Sequence, residues 1–115
     1  MLDYKKENII KVYYTISVLD DCGNEYEELS ERQCPQDLVG ACKKVVEMIK
    51  DDRELGEEYG RWFYLVVKHE EDAENDWQTF YKVFKYRGRW KCKATDYNDF
   101  CSSVLKSTIR RVNKL

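Results

Sequence analysis

The sequence predicts an α+β fold in a single small domain: element order ββαβββα, a mostly antiparallel sheet, and two helices packed on one face. Three observations carry this expectation. Apolar residues alternate strictly in the first strand region, Ile10, Val12, Tyr14, Ile16 and Val18, the period of a half-buried strand. Leu38, Ala41, Cys42, Val45 and Ile49 recur at helical spacing, one apolar stripe. Helical periodicity returns only at the C-terminal end, after further strand-like runs, and segregated strands and helices favour an antiparallel α+β arrangement.

Each element has its own signal. Residues 8–19 form a long strand, and Asp21-Cys22-Gly23-Asn24 is a turn leading into a short acidic strand from Glu25 to Ser30, so the chain opens with a hairpin. Pro35 suits the first turn of a helix, and that helix runs to about Asp51. The acidic loop DDRELGEEYG follows. Arg61 to Lys68 (RWFYLVVK) is apolar on both faces, which places it centrally in the sheet. After a second acidic loop, EEDAEND, two strands from Trp77 to Tyr86 and from Arg89 to Ala94 meet at Arg87-Gly88. Asp96 caps the last helix with Asp99 at its third position, and Phe100, Val104, Leu105, Ile109 and Val112 form its stripe. The last five elements resemble a double-stranded-RNA-binding domain in order alone, αβββα. The final helix starts DYNDFCSS, not with the basic, Ala-rich turn of that family.

Composition narrows the class. The chain has 115 residues, 43% of them hydrophobic and 37% charged, with one proline and five glycines. One domain with one core and no flexible linker is the expectation for residues 1–115. The longest apolar run, Trp62 to Val67, is too short to span a bilayer, and MLDYKKENII has no apolar leader segment. The chain therefore reads as a complete cytoplasmic protein. Its five cysteines, Cys22, Cys34, Cys42, Cys92 and Cys101, are odd in number and form no C-x-x-C pair, which fits reduced thiols.

No motif supports catalysis, a cofactor or a metal. His69 is the only histidine, and a Cys–His dyad has little behind it. EEDAEND lacks the alternating ligands and central glycine of a calcium loop. No phosphate-binding glycine loop and no zinc-protease or hydrolase motif is present. The expectation is a non-enzyme with no cofactor.

Charge is the informative feature. Residues 19–76 hold seven basic and eighteen acidic side chains, a net of −11, whereas residues 77–115 hold ten basic and two acidic, a net of +8. The overall net charge of −2 hides this asymmetry, which points to a charged partner. The stretch Phe80 to Lys93, FYKVFKYRGRWKCK, has six basic residues and no acid. With a two-residue turn at Arg87-Gly88, Phe80, Lys82, Phe84, Tyr86, Arg89, Lys91 and Lys93 share a face. With a three-residue turn and a bulge the aromatics re-sort, but Arg89, Lys91 and Lys93 stay together.

Two functions follow as expectations. The first is a protein-binding module that masks or inhibits a larger, nucleic-acid-handling protein, comparable in type with toxin immunity proteins and phage-encoded inhibitors. Its acidic contacts would be Glu54, Glu57, Glu58 and Tyr59, with Glu70, Glu71 and Asp72. The alternative is direct nucleic-acid binding through Lys82, Arg89, Lys91 and Lys93, with Arg110 and Arg111 on the last helix. Self-neutralisation, with acidic loops folded over the basic hairpin, is the competing structural explanation.

Overall fold

The computed structural model describes residues 11–20, 24–54 and 63–113, with backbone alone for 52–54 and 107–113. The elements are β1 (Lys11–Leu19), β2 (Glu25–Leu29), α1 (Leu38–Glu54), β3 (Phe63–Glu71), β4 (Asp76–Tyr86), β5 (Arg89–Thr95) and α2 (Tyr97–Asn113). Their order is the expected ββαβββα. The strands form one five-stranded sheet in the order β2-β1-β3-β4-β5, and every pairing is antiparallel.

β3 is the central strand. Tyr64, Leu65, Val66 and Val67 are all buried, so successive side chains on both faces leave water. On one face Tyr64 and Val66 join Ile16, Val18 and Leu29 under Ala41 and Val45 of α1, with Tyr81 and Val83 packed alongside. On the other face Leu19, Leu65 and Val67 are buried, as is Val104 of α2. The α2 ring of Tyr97 lies 5.2 Å from Phe80. Phe80 opposes Val67 across the β3–β4 ladder, so it shares the Leu65 face.

The two helices therefore take opposite faces, which corrects the expectation that both pack on one. The reason lies in β3. A strand apolar on both faces needs cover on both, and a single helix layer would leave Leu65 and Val67 in water.

Helix starts are set by side-chain caps. Asp37 Oδ1 accepts the Gly40 N–H at 2.7 Å, so α1 begins at Leu38, later than Pro35 implied. It continues to Glu54, through residues expected in a loop. Asp96 Oδ1 accepts the Asn98 and Asp99 N–H groups at 2.9 and 3.2 Å, as the sequence predicts. On α2, Val104 is buried but Leu105 stays exposed, so the stripe is narrower than its periodicity implied.

β2 pairs only with the Ile16–Leu19 half of β1. Beyond it, the Gln36 side chain substitutes for a strand residue. Its Oε1 accepts the Tyr14 N–H at 2.9 Å and its Nε2 donates to the Tyr14 carbonyl at 3.0 Å, so both main-chain groups are satisfied.

Candidate anion-binding face

The β4–β5 hairpin closes through Arg87-Gly88, with φ of 49° and 78°. Two left-handed central residues make the turn that matches strand twist in a two-residue hairpin. Tyr86 opposes Arg89, Phe84 opposes Lys91 and Lys82 opposes Lys93. This is the two-residue register. It puts Phe80, Lys82, Phe84, Tyr86, Arg89, Lys91 and Lys93 on the α2 face and Tyr81, Val83, Trp90, Cys92 and Ala94 on the α1 face.

Arg89, Lys91 and Lys93 are exposed, Lys82 is half-buried, and Tyr86 is 52% exposed. The Lys82 ammonium sits 5.5 Å from the Phe84 ring centroid and the Arg87 guanidinium 5.2 Å from Tyr86. Among the described residues, ion pairs involve Lys11 with Glu31 and Lys44 with Glu47. None involves Lys82, Arg89, Lys91 or Lys93. Lys82 facing Lys93 is a like-charge pair, unfavourable by up to about 1 kcal/mol.

A cleft of about 500 Å³ opens between this face and α2. Phe63, Phe84, Phe100 and Val104 supply apolar walls, Lys82 and Lys93 supply cations, and Thr95, Asp96, Asp99 and Ser103 line the helix end. The Asp96 carboxylate already holds the α2 N-terminus. The arrangement offers flat apolar surface beside unpaired cations, which suits a planar ring carrying an anionic group. Phe63 and Phe100 were not among the residues expected at the site. Phe100 showed a helical stripe, but nothing in the sequence placed that stripe over the basic strand face.

The acidic residues fare differently. Glu70 and Glu71 end β3 instead of lying in a loop. Glu71 Oε1 accepts the Tyr13 hydroxyl at 2.7 Å, a bond that pushes the Tyr13 phenol up to about 12. Asp72 Oδ1 accepts the Glu74 and Asn75 N–H groups at 2.8 and 2.6 Å, and these bonds hold its carboxyl below the usual range. Both carboxylates already serve the fold. Glu54 is the last residue of α1, with only its backbone described, and Glu57, Glu58 and Tyr59 lie outside the described residues. Arg110 and Arg111 belong to the last turns of α2, again by backbone alone.

A second polar cluster sits where β1 and β3 pair. The Tyr13 and His69 rings stack at 4.4 Å with planes 1° apart. Thr15 Oγ1 lies 2.8 Å from His69 Nε2, and Asp76 Oδ1 lies 3.7 Å from Nδ1. Hydroxyl, imidazole and carboxylate come in the order of a nucleophilic triad. Thr15 is only 4% exposed, however, and it lies in the middle of β1, so no substrate carbonyl can reach its oxygen. The cluster is a buried polar contact of the sheet, and among the described residues the side chains against His69 are Thr15, Tyr13 and Asp76, not a thiol.

Set against known proteins, the chain shows no significant match to any family model, any curated protein or any solved structure. No helix of the described residues is long and apolar enough to cross a membrane.

Proposed function

We propose that this protein is a small binding module that holds a polyanion, single-stranded nucleic acid above all, on the α2-side face of the β4–β5 hairpin. The observation that carries this reading is the row Lys82, Lys93, Lys91 and Arg89, beside Phe84 and the exposed Tyr86, with no carboxylate partner among the described residues. Single strands suit such a surface because phosphates meet the cations while bases stack on aromatic rings. The cleft under α2 gives one base or sugar a semi-enclosed seat.

The test is fluorescence anisotropy with a labelled poly-pyrimidine single strand and a duplex of equal length. Wild type should prefer the single strand. The Arg89→Glu/Lys91→Glu/Lys93→Glu variant should bind at least about tenfold more weakly, since each charge-assisted contact contributes on the order of 1 kcal/mol. Its melting temperature should be unchanged or higher, because repulsion is relieved. Undiminished binding by a folded variant would remove this face from the function.

A second reading is the masking of a basic protein, and the acidic edge strand β2 favours it. There Tyr26 is 65% exposed among Glu25, Glu27 and Glu28, an aromatic anchor in a negative setting. Pull-downs with and without nuclease separate the two. A partner lost on nuclease treatment supports the polyanion reading, and a basic protein retained after it supports masking.

A further inference from the structure

Cys42 is half-buried on α1, and Cys92 is exposed on β5, on the sheet face that α1 covers. Their sulfurs are 2.7 Å apart. A disulfide has its sulfurs at about 2.0 Å, so bonding needs the two sulfurs to approach by less than about 1 Å. We infer that Cys42 and Cys92 form a reactive dithiol that oxidises to an intramolecular disulfide, stapling α1 to the edge strand β5. The inference is independent of the polyanion reading.

The two thiols have unequal roles. Cys92 faces solvent and meets a small oxidant first. Burial, then the neighbouring Cys92 thiol, pushes the Cys42 thiol up to about 12, so it is the slower of the two toward an outside oxidant, and its place 2.7 Å from Cys92 Sγ makes it the resolving partner. With glutathione disulfide as oxidant, Cys92 loses its proton to solvent and its thiolate attacks one sulfur, releasing one glutathione thiolate. The Cys42 thiolate then attacks Cys92 Sγ, forms the Sγ–Sγ bond and releases the second glutathione. The protein loses two electrons and two protons, and one small disulfide becomes two thiols. Cys34 is the competing thiol near Cys42. It is 5% exposed and its Sγ donates to the Pro35 carbonyl at 3.3 Å, so an oxidant reaches it last.

The bond would close the chain from residue 42 to residue 92. It would act on the α1 side of β5, opposite Arg89, Lys91 and Lys93, and would hold the edge strand in register without touching its cations. Restricting a loop of this size in the unfolded state should raise the melting temperature by roughly 10 °C.

The test starts from fully reduced protein incubated with glutathione disulfide, alkylated, and digested without reduction. A peptide pair joining Cys42 to Cys92 is expected, together with a melting temperature that rises on oxidation and returns with dithiothreitol. Cys92→Ser, at an exposed position, should stay folded and lose both the pair and the rise. Cys34→Ser and Cys101→Ser should keep both. A stable glutathione adduct on Cys92 with Cys42 still alkylated, a Cys34–Cys42 pair, or cross-links only between molecules would each overturn the inference.

Discussion

Arg87 holds a backbone conformation that its side chain disfavours. At φ 49° a residue with a Cβ is strained by about 1–2 kcal/mol, and asparagine relieves most of that. The guanidinium over Tyr86 returns about 0.5–1 kcal/mol, less than the strain. Arg87→Asn should therefore raise the urea-unfolding free energy by about 0.5–1 kcal/mol while weakening oligonucleotide binding, because a cation leaves the tip of the basic face. A lower unfolding midpoint would show that the ring contact outweighs the strain. At this scale the sequence was partly readable. Gly88 marked the turn, and alternation alone grouped Arg89, Lys91 and Lys93. The stack of Tyr13 on His69 joins side chains 56 positions apart, and no local period encodes which strand lies beside which. The Cys42–Cys92 approach was hidden for the same reason, since the two cysteines lie 50 positions apart on different elements.

Elements were readable where one period dominates, and their ends were set by single side chains. β1 and α1 follow from patterns of two and of 3.6 residues, and β3 from an unbroken apolar run. Pro35 suggested an early start to α1, but Asp37 provides the cap and fixes Leu38 as the first helical residue. That cap makes an unusual demand on Gly40. A Cβ there would sit 2.8 Å from Asp37 Oδ2 and 2.9 Å from Pro35 Cβ, so the carboxylate must leave its place. Glycine to alanine in a helix ordinarily gains about 1 kcal/mol. Losing the cap costs about the same, and the collision with the Pro35 ring is added. Gly40→Ala should therefore lower the melting temperature. Asp37→Ala should lower it too, and the double variant should fall short of the sum, because both changes remove one hydrogen bond. A stabilised Gly40→Ala would mean that α1 can begin without Asp37. The faces taken by the helices were the part of the fold that periodicity missed. A stripe says that a helix is covered, not by which side of the sheet, and the doubly buried β3 was the clue that both sides needed cover.

Across the whole molecule, the charge asymmetry of the sequence becomes a sheet with an acidic edge and a basic edge. β2 carries Glu25, Glu27 and Glu28, β5 carries Arg89, Lys91 and Lys93, and three strands lie between them. Four spacings of about 4.8 Å separate the edges by roughly 19 Å. The Debye length is about 10 Å at 0.1 M salt and about 30 Å at 0.01 M. At moderate salt the acidic edge is nearly invisible to an anion on the basic face, so a chain with net charge −2 can still hold a polyanion. Replacing Glu25, Glu27 and Glu28 by Gln should change oligonucleotide affinity by less than about twofold near 0.15 M salt and should tighten it clearly near 0.01 M. Reversing Arg89, Lys91 and Lys93 should act at both salts, and should flatten the dependence of log K on log salt by about 2, at roughly 0.7 per lost phosphate contact on a single strand. The two edges are thus separable by salt in one set of anisotropy titrations. Tight binding released by the glutamine variant already at 0.15 M would mean that acidic side chains shield the basic face at close range, and self-neutralisation would then replace the polyanion reading.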